Sequence, residues 1–397
     1  MTTVAAARLT RDRPTWLIYL QLATFATYLY GLAAALPLIR AELGVSQAAA
    51  GLHGTTMAVG GIAAGLALPA LTSRFGRRAA TWAGLAGMNI GVVTVALGHA
   101  LPVTLLGYLL AGASASVSLY AAMAVLSDHH GAAGPAAISE ANAVGVTSGI
   151  AVSYVFSLAA DSALGWRAAL YIPVVATTVL ALAMGRVWVP APAPAPAPAP
   201  GPGPAPAPSA GAPRRPYGRR FHVAGAVLLC CVALEFTFNL WAAELLAQRT
   251  GLTAAQATTG LTAMLAGVAA GRFGGARLAL RHPASAVLLG ALAVTLAGWT
   301  IFWTATAVPV AYAGLALSGL GISVHFPLAL SRVIAASGGR PDAASGAASI
   351  WGSLGSGGGP FVLGALGDGF GTHTAFLLVP ALILLACGGI LSSRSPA

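Results

Sequence analysis

The segment GVVTVALGHALPVTLLGYLLAG, residues 91–112, has a counterpart 207 residues later in GWTIFWTATAVPVAYAGLALSG, residues 298–319. Gly91, Pro102, Gly107 and Gly112 of the first copy align with Gly298, Pro309, Gly314 and Gly319 of the second. The same shift, with no gap, aligns further residues: Gly44 with Gly251, Gly60 with Gly267, Arg74 with Arg281, Gly131 with Gly338, Gly145 with Gly352, Asp161 with Asp368, and Pro173 with Pro380. The sequence therefore predicts two similar halves that are repeated in parallel along the chain.

The composition is that of an integral membrane protein. Of 397 residues, 57% are hydrophobic and 7% are charged, whereas soluble domains carry roughly 25% charged residues. The basic residues are all arginine, so a P-loop with its lysine and Schiff-base chemistry are excluded. The net charge of +11 comes from arginines that lie between apolar runs. Arginines at these places set the topology of a membrane protein, so we expect no nucleic-acid partner. The three cysteines lie in apolar runs, and we expect no disulfide, metal or cofactor.

Twelve apolar runs are long enough to cross a bilayer, which needs about 20 residues per helix. They lie at 16–38, 48–71, 79–98, 102–126, 137–159, 167–189, 221–246, 253–276, 284–304, 308–331, 343–366 and 373–392. We therefore expect an all-α membrane protein of twelve transmembrane helices in two pseudo-symmetric six-helix bundles.

A Pro/Ala-rich stretch separates the two sets of six runs. We assign 1–189 to the first bundle, 190–220 to a semi-rigid linker and 221–397 to the second bundle. Most arginines fall on one side if the N-terminus is inside the cell, so we expect both termini and the linker to be cytoplasmic. The expected location is the inner (plasma) membrane, crossed many times.

The loop after the second run carries a recognisable motif. It reads Leu71-Thr72-Ser73-Arg74-Phe75-Gly76-Arg77-Arg78, and it resembles the loop Gly-x-Leu-Ala-Asp-Arg-x-Gly-Arg-Arg of the major facilitator superfamily. The family aspartate is replaced by Ser73, which puts its acid-mediated latch in doubt. Glu235 and the stretch Gly319-x-Gly321 before Pro327 look more similar to the fucose-permease branch than to drug exporters. The resemblance implies secondary transport by alternating access, with helices 1, 4, 7 and 10 lining a central cavity.

Glu235 is the first candidate for proton coupling. A carboxylate near the bilayer centre costs several kcal/mol unless it is paired or protonated, and Glu235 lies in the middle of the seventh run. It either carries a proton through the transport cycle or joins two helices as a structural acid. His325 in the tenth run is the second candidate, because a histidine titrates near neutral pH. Its alternative is a hydrogen-bonded core histidine.

Polar residues on the helices that line the cavity in this family are candidates for the substrate pathway. The 207-residue shift places Tyr28 on Glu235 and Ser118 on His325, and helical spacing adds neighbours to these positions. The full set is Gln21, Tyr28, Ser118, Asn239 and Ser318. Any single hydroxyl among them could instead bond the preceding turn of its own helix.

Charged residues at the cytoplasmic ends are candidates for a gate. Glu140 and Arg272 lie on the fifth and eighth helices, which face each other in the family, and an ion pair between them could be made and broken between two states. The motif arginines Arg74, Arg77 and Arg78 belong to the same predicted gate. The alternative for all of them is unrelated solvated charge. We expect Asp128, His129 and His130 to be solvated loop residues.

The function that the sequence predicts is secondary active transport of a small organic solute, coupled to protons, by a functional monomer. Its partners are then the small-molecule substrate, protons and the lipid bilayer. The alternatives are a multidrug or toxic-compound efflux antiporter of the same fold, and a non-transporting membrane receptor. Neither Gly-x-Ser-x-Gly nor His-Glu-x-x-His occurs in the chain, and we expect no enzyme.

Overall fold

The computed structural model describes residues 9–45, 47–160, 165–189, 217–252, 257 and 259–393. Within them the regular structure is helical. The helices are α1 (Arg13–Leu43), α2 (Gln47–Leu97), α3 (Leu101–His130), α4 (Gly134–Ala160), α5 (Trp166–Ala169), α6 (Ile172–Met184), α7 (Arg219–Thr250), α8 (Thr259–Arg281), α9 (Ala284–Thr304), α10 (Val308–Ile322), α11 (His325–Ala335), α12 (Pro341–Phe370), α13 (Thr372–Ala375) and α14 (Leu378–Ser392).

These helices account for the twelve predicted spans. Gly76, with φ 78° and ψ 159°, divides α2 into two helical segments. Each of the pairs α5–α6, α10–α11 and α13–α14 corresponds to a single predicted span. Eight stretches of the described residues are long and apolar enough to cross a membrane. Two of these stretches are about 50 residues long, and each contains two helical segments. The arginine-bearing α8 and the glycine-rich α12 fall outside the eight. The predicted all-α fold is confirmed.

The repeat is visible in the packing. A Cβ on Gly60 would collide with the carbonyl oxygen of Leu109, and a Cβ on Gly267 with that of Ala316. Each residue of the second contact lies 207 positions after its counterpart in the first. Gly112 against the backbone of Met57, and Gly319 against that of Met264, form a second such pair. Glycine is required at these positions because α2 and α3, like α8 and α10, approach backbone to backbone.

The first glycine pair of the repeat ends equivalent helices. Gly44 caps α1 with φ 61°, and Gly251 caps α7 with φ 71°. This left-handed conformation favours glycine, because a Cβ would clash with the backbone. Equivalent helices in the two halves therefore end at the same position of the repeat.

The two halves, α1–α6 and α7–α14, meet at one end of the bundle. We call it the termini end; it carries Arg11, Arg77 and Asp342, and the opposite, far end carries Glu42 and Gly251. Near the termini end, α2 meets α12 where Ser349 Oγ donates to the carbonyl oxygen of Gly61 at 2.7 Å.

Two further observations describe the boundary between the halves. The ring of Tyr120 in α3 packs edge-on against Phe326 in α11, with 6.3 Å between centroids. In α2 and α12, a Cβ added to Gly357 would lie 3.8 Å from Cβ of Ala58. The halves are thus in contact from Arg77 and Asp342 at the termini end as far along as Ala58 and Gly357.

Candidate functional site

Glu235 and Arg272 lie together between the two halves. The Oε1 atom of Glu235 is 3.9 Å from Nη2 of Arg272, and their side chains are 21% and 9% exposed. This separation exceeds a hydrogen bond but keeps strong Coulomb attraction in a poorly solvated site. Arg272 Nη1 donates to the carbonyl oxygen of Asn142 in α4 at 2.9 Å. One guanidinium therefore faces the acid of its own half and holds the backbone of the other half.

Tyr30 is the residue of α1 that reaches this pair, and the sequence analysis missed it. Its phenol lies in electrostatic range of both Arg272 and Glu235, and its ring packs over Gly149, where a Cβ would collide with it. The predicted pathway residue Tyr28 is 3% exposed and belongs to the core of the first half. Two residues along a helix turn the side chain by about 200°, so Tyr28 and Tyr30 point in opposite directions.

The other predicted pathway residues have different surroundings from one another. The Cβ of Ser118 packs against Gly84 of α2, and the hydroxyl of Ser318 packs against Gly298 of α9, so both residues contact a helix of their own half. Gln21 is 2% exposed, and its amide atoms have no hydrogen-bond partner in the part of the chain that the structure describes. Asn239 is half-buried one turn after Glu235 in α7. Of the five, Asn239 is the one that shares a helix face with the Glu235–Arg272 pair.

His325 lies away from this pair. It is fully buried, and its Nε2 atom is 3.3 Å from Thr295 Oγ1 in α9. Its neighbours point elsewhere, Val324 towards Gly275 and Phe326 towards Tyr120. This arrangement favours the alternative of a core histidine.

The expected ion pair between Glu140 and Arg272 is wrong. Glu140 accepts from Arg11 Nε at 2.9 Å and from Arg11 Nη2, and Tyr19 Oη donates to it at 2.8 Å. The helical step is the reason. Asn142, whose carbonyl meets Arg272, follows Glu140 by two residues in α4, so Glu140 turns towards α1 instead. Glu140 therefore fastens the N-terminal segment to its own half.

The motif arginines divide between different partners. Arg77 joins the halves: its Nη1 bonds Asp128 of α3 and its Nε bonds Asp342 of α12, both at 2.7 Å. Arg78 donates to the carbonyl oxygen of Gly185 in the same half at 2.6 Å. Arg74 lies over the ring of Phe75. Asp128 is 49% exposed, as expected, but it lies at the end of α3 and pairs with Arg77. Asp342 places an acid opposite Arg77 on the other half although Ser73 replaces the family aspartate.

Comparisons with known proteins agree with this architecture. The family model described as Major Facilitator Superfamily matches residues 17–238, more than half of the chain. A search of curated sequences found no match. The fold is similar to that of the Escherichia coli fucose:proton symporter FucP, which was solved in the outward conformation. The TM-score is 0.78 with 17% identity, over 96% of this chain and 99% of that one.

Two further solved structures share the fold. The human organic anion transporter MFSD10 (TETRAN) gives a TM-score of 0.75 with 16% identity, over 96% of this chain and 100% of that one. The proton:xylose symporter XylE gives 0.71 with 11% identity, over 96% and 95%. The expected likeness to a fucose-permease-type fold is confirmed. Because the family model matches more than half of its residues, the chain belongs to the major facilitator superfamily.

Proposed function

We propose that the protein is a proton-coupled transporter that moves a small organic solute across the plasma membrane by alternating access, as a monomer. The observation that carries the proposal is the shared guanidinium of Arg272, which faces the Glu235 carboxylate at 3.9 Å and binds the Asn142 carbonyl of the opposite half at 2.9 Å. An acid that titrates at this point acts directly on a contact between the halves.

The orientation of the protein follows from its arginines. Arg77, Arg78, Arg277 and Arg281 lie at the termini end, and arginines next to spans are held on the cytoplasmic side. With the termini inside, the contact between Arg77 and Asp342 joins the halves on the cytoplasmic side. The linker, 190–216 of which lies outside the described residues, is then cytoplasmic. A cysteine in place of Ala199 should react with an impermeant thiol reagent only after the membrane is opened; reaction in intact cells would contradict this topology.

The coupling step changes the charge around Arg272. While Glu235 is ionised it balances the guanidinium, and when it is protonated Arg272 keeps only neutral partners. The free energy of the Arg272–Asn142 contact, and with it the closure of the cytoplasmic end, then depends on protonation. A ligand or proton shifts a two-state equilibrium only by its differential affinity for the two states. The Glu235–Arg272 pair supplies such a difference.

The test follows proton movement in vesicles. Purified protein is reconstituted with a trapped pH indicator, and solutes that raise its thermal stability are added outside. We expect internal acidification with the wild type and none with Glu235→Gln. Glu244→Gln, an exposed acid of the same helix, is the matched control and should behave as the wild type. Acidification that persists in Glu235→Gln would contradict the proposal.

The same experiment separates the alternatives. An efflux antiporter uses the same pair but exchanges solute for protons, so external solute makes the vesicle interior more alkaline. A receptor of this fold binds solute with no change of internal pH. The sign of the indicator signal therefore distinguishes the three functions.

A further inference from the structure

We infer that the solute is a monovalent carboxylate, which replaces Glu235 as the counter-charge of Arg272 when Glu235 is protonated. The inference rests on the proposed function and adds the class of substrate. It follows from the charge of the site and from the guanidinium edge that makes no hydrogen bond to the described residues.

The charge of the site is neutral or positive. In the part of the chain that the structure describes, the titratable groups in electrostatic range of Glu235 are Arg272, Tyr30 and Cys231. Tyrosine and cysteine are neutral near pH 7. The pair therefore sums to zero when Glu235 is ionised and to +1 when it is protonated, and at no stage does it favour a cation.

Protonation of Glu235 leaves a buried arginine without a counter-charge. The Arg272 side chain is 9% exposed, and an unpaired buried charge is strongly unfavourable. A neutral solute leaves that cost in place. A carboxylate that enters with the proton removes it, since the site with both ligands is again neutral.

The geometry of Arg272 fits a carboxylate. Its Nη1 is occupied by Asn142, its Nη2 is too far from Glu235 for a hydrogen bond, and its Nε is buried without a hydrogen-bond partner among the described residues. Nε and Nη2 form one edge of the guanidinium. The Nε and Nη2 atoms of Arg11 donate to the two carboxylate oxygens of Glu140. The same two atoms of Arg167 donate to the carboxylate oxygens of Glu42.

Arginine presents such an edge to carboxylates in a bidentate arrangement. In Arg272 this edge makes no hydrogen bond to the described residues, its Nε is buried, and the phenol of Tyr30 lies in electrostatic range of the same guanidinium. Symport of one proton with one monovalent anion carries no net charge. Uptake should therefore respond to a pH gradient and not to a membrane potential imposed with potassium and valinomycin.

The test uses compounds that differ in charge and not in shape. Lactate, gluconate and benzoate are each compared with the corresponding neutral amide, and benzylamine serves as the cation; the readout is thermal stabilisation of the full-length protein at pH 5.5 and pH 8. We expect at least one carboxylate to bind about tenfold more tightly than its amide, more tightly at the lower pH. Glu235→Gln should bind it equally at both pH values.

Variants of Arg272 identify the site. Arg272→Gln should lose the preference for carboxylates. Arg272→Lys keeps the positive charge but not the two parallel N–H donors, so it should keep this preference with weaker binding. Arg277→Gln, an exposed arginine of the same helix, should match the wild type.

Several results would overturn the inference: an amide or benzylamine that binds as tightly as the carboxylates, a carboxylate preference that survives Arg272→Gln, or no binding by any carboxylate. Proton-coupled movement of a neutral solute would contradict the carboxylate inference and leave the proposed function intact. Carboxylate binding to Arg272 without proton movement would support the carboxylate inference and contradict the proposed proton coupling.

Discussion

The latch between Arg77 and Asp342 should set the balance between the two states of the transporter. This pair joins the halves at the termini end, with a distance of 2.7 Å and side chains that are 26% and 33% exposed. Asp342→Asn removes one charge. Because solvent screens a pair of this exposure, its contribution is about 0.5 to 1 kcal/mol. That corresponds to a shift of roughly two- to fivefold towards the state that is open at the termini end.

The shift can be measured as a distance distribution. Spin labels at Phe75 and Leu278, both exposed and on opposite halves, report the opening of the termini end in a cysteine-free background. The matched control is Asp128→Asn, which removes a charge from the same Arg77 but within one half, and it should shift the distribution less. An unchanged distribution in Asp342→Asn, or an equal shift in the control, would refute the latch.

Three further predictions follow from other contacts. Reversing the charge of either Arg11 or Glu140 should lower thermal stability by about 1 kcal/mol, and the double reversal should recover part of it, whereas equal losses in all three variants would argue against the pair. Gly267→Ala should destabilise the protein by more than about 2 kcal/mol, because its Cβ collides with backbone, while Gly274→Ala, which meets nothing within 4 Å, should be neutral or stabilising. Hydrogen bonds and charge from Arg167 lower the pKa of Glu42, so the stability that this carboxylate adds is present above its unfolded pKa and is lost as the pH falls through the lowered folded pKa. Glu42→Gln should accordingly unfold at a lower temperature than the wild type at pH 7, and the difference should shrink as the pH is lowered.

The fold was predictable because its constraints recur along the chain. Span length is set by the bilayer, and the matched glycines mark positions where helices touch through their backbones. Gly60 and Gly267 keep the same register to their partners, so the 207-residue shift reported a real packing repeat. The domain boundaries, including the linker, stay predictions.

The site was less predictable because its pairings join helices that are distant in sequence. The sequence singled out Glu235 and Arg272 separately, but it could not show that they face each other. The sequence also placed Glu140 opposite Arg272. The order of the helices indicates which helices are neighbours, but it does not show how each helix is rotated about its axis. An error of two residues turns a side chain by about 200°, and this accounts for choosing Tyr28 in place of Tyr30.

In the proposed mechanism, Glu235 carries the proton that drives transport. Its most direct test compares net accumulation with exchange in vesicles that contain Glu235→Gln protein. We expect that the variant still exchanges solute across the membrane, because glutamine keeps the shape and most hydrogen bonds of a protonated glutamate. It should no longer accumulate solute when a pH gradient is applied. Accumulation against the solute gradient by Glu235→Gln, with the pH profile of the wild type, would contradict it.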